Sequence, residues 1–244
     1  MEIDFKGKRA LVTGAGKGIG RCIAKSLARC GAEVIALTRT QSDLDTLVAE
    51  VPSIHPLCLD VSKTEDVRKA IEKLGDIHLL VNNAGVSKLD AFLDIEPEDF
   101  DKLFGINVKA ALFVAQAVAK KMVAKGSGGA IVNVSSQASQ SALQDHTLYC
   151  SSKAALDMLT KMMAFELGKH KIRVNAVNPT AVMTDMGRLA WSDEAKAGPL
   201  LNRIPLGRFA EEEEVVNAIL FLLSDKASMI SGALLPVDGG LLTC

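Results

Sequence analysis

Apolar residues follow two rhythms along the chain. One is a series of short, unbroken runs: Arg9 to Thr13, Val34 to Thr38, Pro56 to Leu59, His78 to Val81, Ala130 to Ser135, Ile172 to Val177 and Ala233 to Val237. Runs of this length, rich in Val, Ile and Leu, predict strands buried on both faces. The other rhythm is helical, as in Ile23, Ala24, Leu27 and Ala28 between the first two runs. Helical segments are predicted over Ile19 to Cys30, Thr64 to Leu74, Pro97 to Lys125, Tyr149 to Leu167 and Glu211 to Leu223. Strands that alternate with helices imply an α/β, doubly wound, parallel sheet of seven strands covered on both faces, because each parallel crossover needs a helix. With no linker or repeat, residues 1–244 read as a single domain. The longest stretch without a pattern, about 181–204, holds Trp191 and reads as a lid or substrate loop.

Composition narrows the function. Of 244 residues 48% are hydrophobic and 23% charged, which excludes disorder, and 28 Lys and Arg against 29 Asp and Glu leave a formal net charge of −1. Without a basic stripe there is no electrostatic footprint for nucleic acid or for an anionic membrane. The most apolar stretches, Ala110 to Ala119 and Ala218 to Leu223, fall short of the ~20 residues of a transmembrane helix. Glu2 and Asp4 at the start do not suit a signal peptide, so the expected location is cytoplasmic. Cysteines at 22, 30, 58, 150 and 244 and histidines at 55, 78, 146 and 170 show no metal-ligand spacing, and no metal site is expected.

The segment Gly14-Ala15-Gly16-Lys17-Gly18-Ile19-Gly20 joins the first strand to the first helix. Glycines there let the backbone approach a phosphate, and a helix N-terminus offers free N–H groups to a dinucleotide pyrophosphate. A tight turn without a ligand explains the glycines about as well, and Lys17 reads equally as a solvated charge. After the second strand, an acid would favour an adenosine ribose and a cation a 2′-phosphate. The chain has Arg39-Thr40 there, and the first acid, Asp43, comes too late, in a helix cap. Arg39 therefore points to NADP(H). An exposed turn arginine is the plain alternative.

Tyr149 and Lys153 lie four apart on a predicted helix and share a face, and Ser136 ends the fifth strand. A phenol transfers protons poorly near neutrality unless a cation such as the Lys153 ammonium favours phenolate. Ser136 would polarise a carbonyl oxygen that the Tyr149 hydroxyl protonates as hydride reaches carbon.

These motifs, with NNAG at 82 to 85, Asn107 and YCSSK at 149 to 153, cover essentially the whole chain and resemble the short-chain dehydrogenase/reductase family. The resemblance implies a seven-stranded Rossmann sheet, usually in a homotetramer. It implies Tyr149 as acid/base, Ser136 orienting the substrate, Lys153 holding the nicotinamide ribose and Asn107 supporting a proton-relay water. Asp60 and Val61 would meet the adenine, Asn83, Ala84 and Gly85 would line the cofactor side, and Val182 and Thr184 would contact the nicotinamide amide. Thr180 stands where many members have Gly after Asn-Pro.

Within the family the chain looks most like NADPH-dependent reductases of short ketoses such as L-xylulose and α-dicarbonyls such as diacetyl. Their pocket maps onto Gln137, Leu143, His146 and Trp191. Without the resemblance, Leu143 and Trp191 read as core packing, and His146 as a structural hydrogen bond. Reduction of bulkier carbonyls (3-oxoacyl thioesters, steroids, aromatic ketones) is the alternative enzyme, and a cofactor-binding regulatory protein the alternative class. Cys150 reads as a small buried residue. Surplus apolar residues on two helices, Ala111, Ala115, Ala119, Met158, Met162 and Phe165, suggest self-association.

Overall fold

The computed structural model describes residues 2–243. Seven strands, β1 (Arg9–Thr13), β2 (Glu33–Thr38), β3 (His55–Cys58), β4 (Leu79–Asn82), β5 (Gly129–Val134), β6 (Ile172–Pro179) and β7 (Leu234–Val237), form one sheet in the order β3-β2-β1-β4-β5-β6-β7. Every strand pair is parallel. Each expected strand is present, with ends displaced by one or two residues.

The five inner strands look uniformly apolar because both faces are covered, whereas the edge strands β3 and β7, also expected to be buried, are exposed or half-buried; the pleat still sorts the inner side chains. Ala10, Val12, Val34, Ala36, Val81 and Val132 enter one core with helix α1 (Gly18–Arg29) and helix α9 (Glu212–Leu223). Leu11, Ile35, Leu37, Leu80 and Ile131 enter the other, with helices α3 (Thr64–Lys73), α5 (Ala111–Lys125) and α6 (Thr147–Leu167). A buried polar ladder crosses this second layer: Asn82 Nδ2 donates to Asn133 Oδ1 (3.0 Å), and Asn133 Nδ2 donates to Thr160 Oγ1 (2.8 Å). It ties α6 to the middle of the sheet, where mispairing would strand polar groups.

Three features differ from the sequence reading. Helix α2 (Gln41–Glu50) was not anticipated, because only Leu44 and Leu47 are buried along it. The stretch expected to be an irregular loop carries two short helices, α7 (Asp185–Ala190) and α8 (Glu194–Leu201), started by the Thr184 and Asp193 side chains. The helix expected over Pro97–Lys125 is present, continuous over 29 residues, with α4 (Pro97–Phe104), a π turn (Gly105–Ala110) and α5 in sequence, and what differs is its apolar length. At mean hydropathy 1.3 it is long and apolar enough to cross a bilayer, which the short unbroken runs had concealed. Its Val114, Val118 and Met122 are buried with Val67, Ile71 and Leu80, so it serves as a core helix.

Strand order reverses direction between β1 and β4, and the strand C-termini there open a crevice of the kind that receives ligands in such sheets. Ala111, Ala115 and Ala119, expected to add to an outer apolar face, are instead buried in the chain's own core. Met158, Met162 and Phe165 do reach the surface, Phe165 at 84% exposure. Cys244 lies outside the described residues.

Candidate active site

The crevice at the switch point is a cleft of about 130 Å³ lined by Gly14, Thr38, Arg39, Asp60, Val61, Ala84 and Gly85. Its floor is the turn between β1 and α1, which is braced from the side. Asn83 Nδ2 donates to the carbonyls of Thr13 and Gly14 (both 3.1 Å), and the backbone N–H groups of Asn83 and Ala84 donate to Thr13 Oγ1 (both 3.1 Å). The Asn83 amide is thereby committed to holding the turn. A Cβ on Gly14, which has φ +65°, would lie 2.9 Å from Ala84 Cα, so only glycine fits that approach.

Helix α1 begins with Lys17 as its cap residue, with no side chain closing the first turn and no acid in it. The first N–H groups of α1 are thus open to an anion, which suits a pyrophosphate. A Cβ on Gly18 would lie 3.2 Å from Thr184 Cγ2, so the β6 to α7 segment crosses the far end of the glycine turn. Val182 and Thr184 stand in that segment, with Val182 bridged to Ala210 and Thr184 Oγ1 accepting from the Gly187 N–H (2.9 Å).

The two cations have different surroundings. Lys17 Nζ is exposed and lies 3.5 Å from Asp43 Oδ1, in the first turn of α2. The Lys17 charge is therefore partly answered by the protein. Arg39, at the end of β2, is exposed and makes no ion pair or hydrogen bond among the described residues. Thr40 is the cap residue of α2. Asp60 is held below the usual carboxylate range, first by the Ser62 N–H on its Oδ1 (2.9 Å), with a smaller contribution from the Arg39 charge.

The chemical end of the crevice is built by β5, the turn after it and α6. Ser136 caps the 3-10 turn Gln137–Ser139, its Oγ accepting from the Ala138 N–H (3.1 Å), and its side chain lies near enough to Tyr149 to favour the phenolate. Burial pushes the Tyr149 phenol above its ordinary value, opposed by the Ser136 side chain. The site thus does not show the depressed phenol expected from Lys153. The Lys153 Nζ lies 5.7 Å from the Tyr149 ring centre and donates to the Val134 carbonyl (2.9 Å). Burial lowers Lys153 to about 8, and the Asp157 carboxylate opposes that fall. Asn107 sits buried in the π turn, its Oδ1 accepting from the Val86 N–H (2.8 Å) and its Nδ2 donating to the Val86 carbonyl (2.9 Å) and to Ser152 Oγ (3.0 Å). Ser152 Oγ donates to the Tyr149 carbonyl (2.8 Å), so Asn107 fixes the first turn of α6. π turns recur at functional sites because they re-aim one residue of a helix. Gly85 faces this group: a Cβ there would lie 3.4 Å from Asn107 Oδ1 and 3.5 Å from Lys153 Nζ.

The expected substrate residues divide into two groups. His146 stacks edge-on to Tyr149 with ring centres 6.3 Å apart, and its Nδ1 is 2.5 Å from the Gln144 carbonyl oxygen. Gln137 is buried and accepts from Ser141 Oγ (2.9 Å), and Leu143 is half-buried in the loop before α6. Trp191 is half-buried and packs on Phe209, 5.2 Å between ring centres, in a small core with Ala197, Ile204 and Leu241. Its enclosing role would therefore be joined to holding α7 and α8 down. One group escaped the sequence reading, and a second, Thr180, was noted there only as a departure from glycine. Asp157 is buried behind Ser136 on the same helix face as Lys153, a position its spacing of four did signal. The Thr180 hydroxyl is buried without a partner where a glycine would have none.

Residues 14–242 match a family model described as enoyl-(acyl carrier protein) reductase. The chain is 58% identical to D-erythrulose reductase of Gallus gallus, over 99% of this chain and 98% of that protein. It is 57% identical to L-xylulose reductase of Homo sapiens over the full length of both. A gluconate 5-dehydrogenase of Burkholderia cenocepacia, solved in complex with NADP and tartrate, superposes with a TM-score of 0.94 at 33% identity, over 100% of this chain and 98% of that one. With the glycine turn, the Ser136, Tyr149 and Lys153 group and these likenesses along its whole length, the chain belongs to the short-chain dehydrogenase/reductase family of oxidoreductases.

Proposed function

We propose that the protein is an NADPH-dependent reductase of small carbonyls, converting L-xylulose to xylitol and also reducing α-dicarbonyls such as diacetyl. The observation that carries the reading is Tyr149, half-buried beside Ser136 and with the buried Lys153 ammonium 5.7 Å from its ring centre, at the end of a cleft whose rim holds Arg39. The full-length relatives are named for reduction of short ketoses, which supports the substrate class.

The cleft fits the dinucleotide: open N–H groups at the start of α1, Asp60 and Val61 beside the adenosine end, and Arg39 for the 2′-phosphate. Gly16, Gly18, Ile19 and Gly20 complete the pyrophosphate turn, Lys17 assists, and Ala84, Gly85, Val182 and Thr184 flank the nicotinamide half. When bound, the cofactor supplies hydride to the carbonyl carbon. Ser136 Oγ holds the carbonyl oxygen, and Tyr149 gives it a proton as negative charge develops there. Lys153 holds the ribose and its charge stabilises the phenolate left on Tyr149, while Asn107 fixes the helix turn that carries both and supports a water that returns the proton. Gln137 and His146 meet substrate hydroxyls, which need partners once buried, and Leu143 and Trp191 enclose the carbon chain. Residues 181–204 act as the substrate segment of this single domain.

We further propose self-association, as a homotetramer, through the α5 and α6 faces. A groove of about 450 Å³ between them is lined by Leu112, Val123, Leu159, Met162 and Leu167, beside the exposed Met158 and Phe165. The unpaired Cys22, Cys30, Cys58 and Cys150 suit a reducing cytoplasm. The test is a panel of L-xylulose, diacetyl, a 3-oxoacyl thioester and an aromatic ketone with NADPH, run on the parent and on Tyr149→Phe. Turnover of the first two that vanishes in the variant, with NADPH binding kept, supports the reading. Preference for the bulky carbonyls, or activity retained by Tyr149→Phe, overturns it.

A further inference from the structure

We propose that Asp157 is a positioning residue for Ser136, acting through Ser139 and Asn178. The proposal rests on the functional reading above and extends it to a residue that touches neither substrate nor cofactor.

Three potential donors lie within reach of the Ser136 carbonyl: the Ser139 N–H (3.0 Å), Ser139 Oγ (2.7 Å) and Asn178 Nδ2 (3.1 Å). The two side-chain donors also meet the buried Asp157 carboxylate at one oxygen, Oδ2, with Ser139 Oγ at 2.5 Å and Asn178 Nδ2 at 2.9 Å. Asn178 Nδ2 further contacts Ser139 Oγ (3.0 Å). Hydrogens limit this cluster. Ser139 has one hydroxyl proton and Asn178 two amide protons, to be shared among the Ser136 carbonyl, Ser139 Oγ and Asp157 Oδ2. With the carboxylate drawing the Ser139 proton, Ser139 Oγ becomes an acceptor for Asn178, and the other amide proton reaches the Ser136 carbonyl. Asp157 thus selects one hydrogen-bond arrangement out of several, and that arrangement fixes the Ser136 peptide.

Ser136 is extended at φ −163° and ψ 153°, so its Oγ direction follows the peptide that this cluster holds. The second oxygen, Asp157 Oδ1, is buried without a hydrogen-bond partner. A bare carboxylate oxygen in the interior is costly, and the Lys153 ammonium, whose charge Asp157 supports, offsets part of that cost. The remainder is accounted for when the carboxylate orders the residue that binds the reacting oxygen.

The test uses the full-length protein. Asp157→Leu fills the volume and removes the acceptor. Expected are a kcat about tenfold lower, the size of one misplaced hydrogen bond in the transition state, with KM for NADPH within about twofold. Asp157→Asn, which keeps an acceptor, should restore most of the loss. A parent-like kcat in folded Asp157→Leu, or a loss confined to KM for NADPH, overturns the proposal. Should Asp157→Leu fail to fold, Ser139→Ala carries the same expectation with rescue by Ser139→Thr, and a parent-like kcat in Ser139→Ala overturns it equally. A crystal structure of the folded variant separates this idea from the functional reading. If the parent turns over none of the carbonyls, that reading fails by itself. Ser136 Oγ unmoved against Tyr149 in the variant refutes the positioning role whatever the substrate.

Discussion

Lys153 is the most stringent point at which to test the site energetics. Its ammonium is buried and donates a hydrogen bond to the Val134 carbonyl, and burial brings it from 10.5 to about 8. At about 1.4 kcal/mol per pH unit, that gap means that charged Lys153 costs the folded protein ~3 kcal/mol relative to the unfolded chain. The sign follows from proton counting. Below the folded value both states carry the proton and the whole cost is present. Between about 8 and 10.5 the unfolded chain keeps a proton that the folded protein has released, so this residue's contribution to stability rises with pH. Denaturant unfolding at pH 7 and pH 10, at fixed protein concentration, should therefore show the parent gaining roughly 2–3 kcal/mol relative to Lys153→Met. At ~2–4 °C per kcal/mol for a chain of this size the relative shift in Tm is about 5–10 °C. Other titrating groups are common to both proteins and cancel. Parallel pH dependence in the two would refute the burial argument for Lys153.

Two further substitutions probe the ends of the cleft. Arg39→Asp should reverse cofactor choice, weakening NADPH by about 10- to 100-fold, the worth of charged hydrogen bonds, and improving NADH. Steady-state kinetics with both cofactors decides it, and unchanged NADPH preference would make Lys17, despite its pairing with Asp43, the determinant. Trp191→Ala should have two effects because Trp191 both packs on Phe209 and faces the expected pocket. It should lower Tm through loss of roughly 2–3 kcal/mol of packing, below the value for a fully buried aromatic, and raise KM for L-xylulose more than for an aromatic ketone. A lowered Tm with the KM ratio unchanged would leave Trp191 as core alone.

How much of this was legible in the sequence depends on whether a feature is local. The five inner strands were readable because a strand covered on both faces leaves an unbroken apolar run, whereas the edge strands β3 and β7 keep such runs although they are largely exposed or half-buried; the glycine turn was readable because its constraint is a short-range one. Helix α2 was hidden, since two buried leucines in ten residues make no clear stripe. The caps Thr184 and Asp193 stood in the sequence, but the α7 and α8 they start are too short for a period to show. The candidate site shows the same division. Ser136, Tyr149 and Lys153 announce themselves by spacing. The Asp157 to Asn178 contact joins residues 21 apart across α6 and β6, and no local pattern records it. The Lys17 to Asp43 pairing likewise depends on α2, the helix the pattern missed.

The protonation states of Tyr149 and Lys153 bear on the direction in which the site works best. Burial moves the phenol up and the ammonium down, which reverses their ordinary order and leaves Lys153 the first to lose its proton, while both remain protonated at neutral pH. Reduction of a carbonyl needs a proton donor, which the neutral phenol is, and a cation to hold the phenolate it becomes. Oxidation of the alcohol needs phenolate at the outset, which burial disfavours. For the free enzyme, kcat/KM for reduction should accordingly be level at neutral pH and fall above about 8 as Lys153 loses its charge, whereas kcat/KM for xylitol oxidation should climb from neutral to moderately alkaline pH. Paired pH profiles in the two directions test this. A reduction profile still level at pH 10, or an oxidation rate that is highest at acid pH, would contradict the assignment of donor and cation.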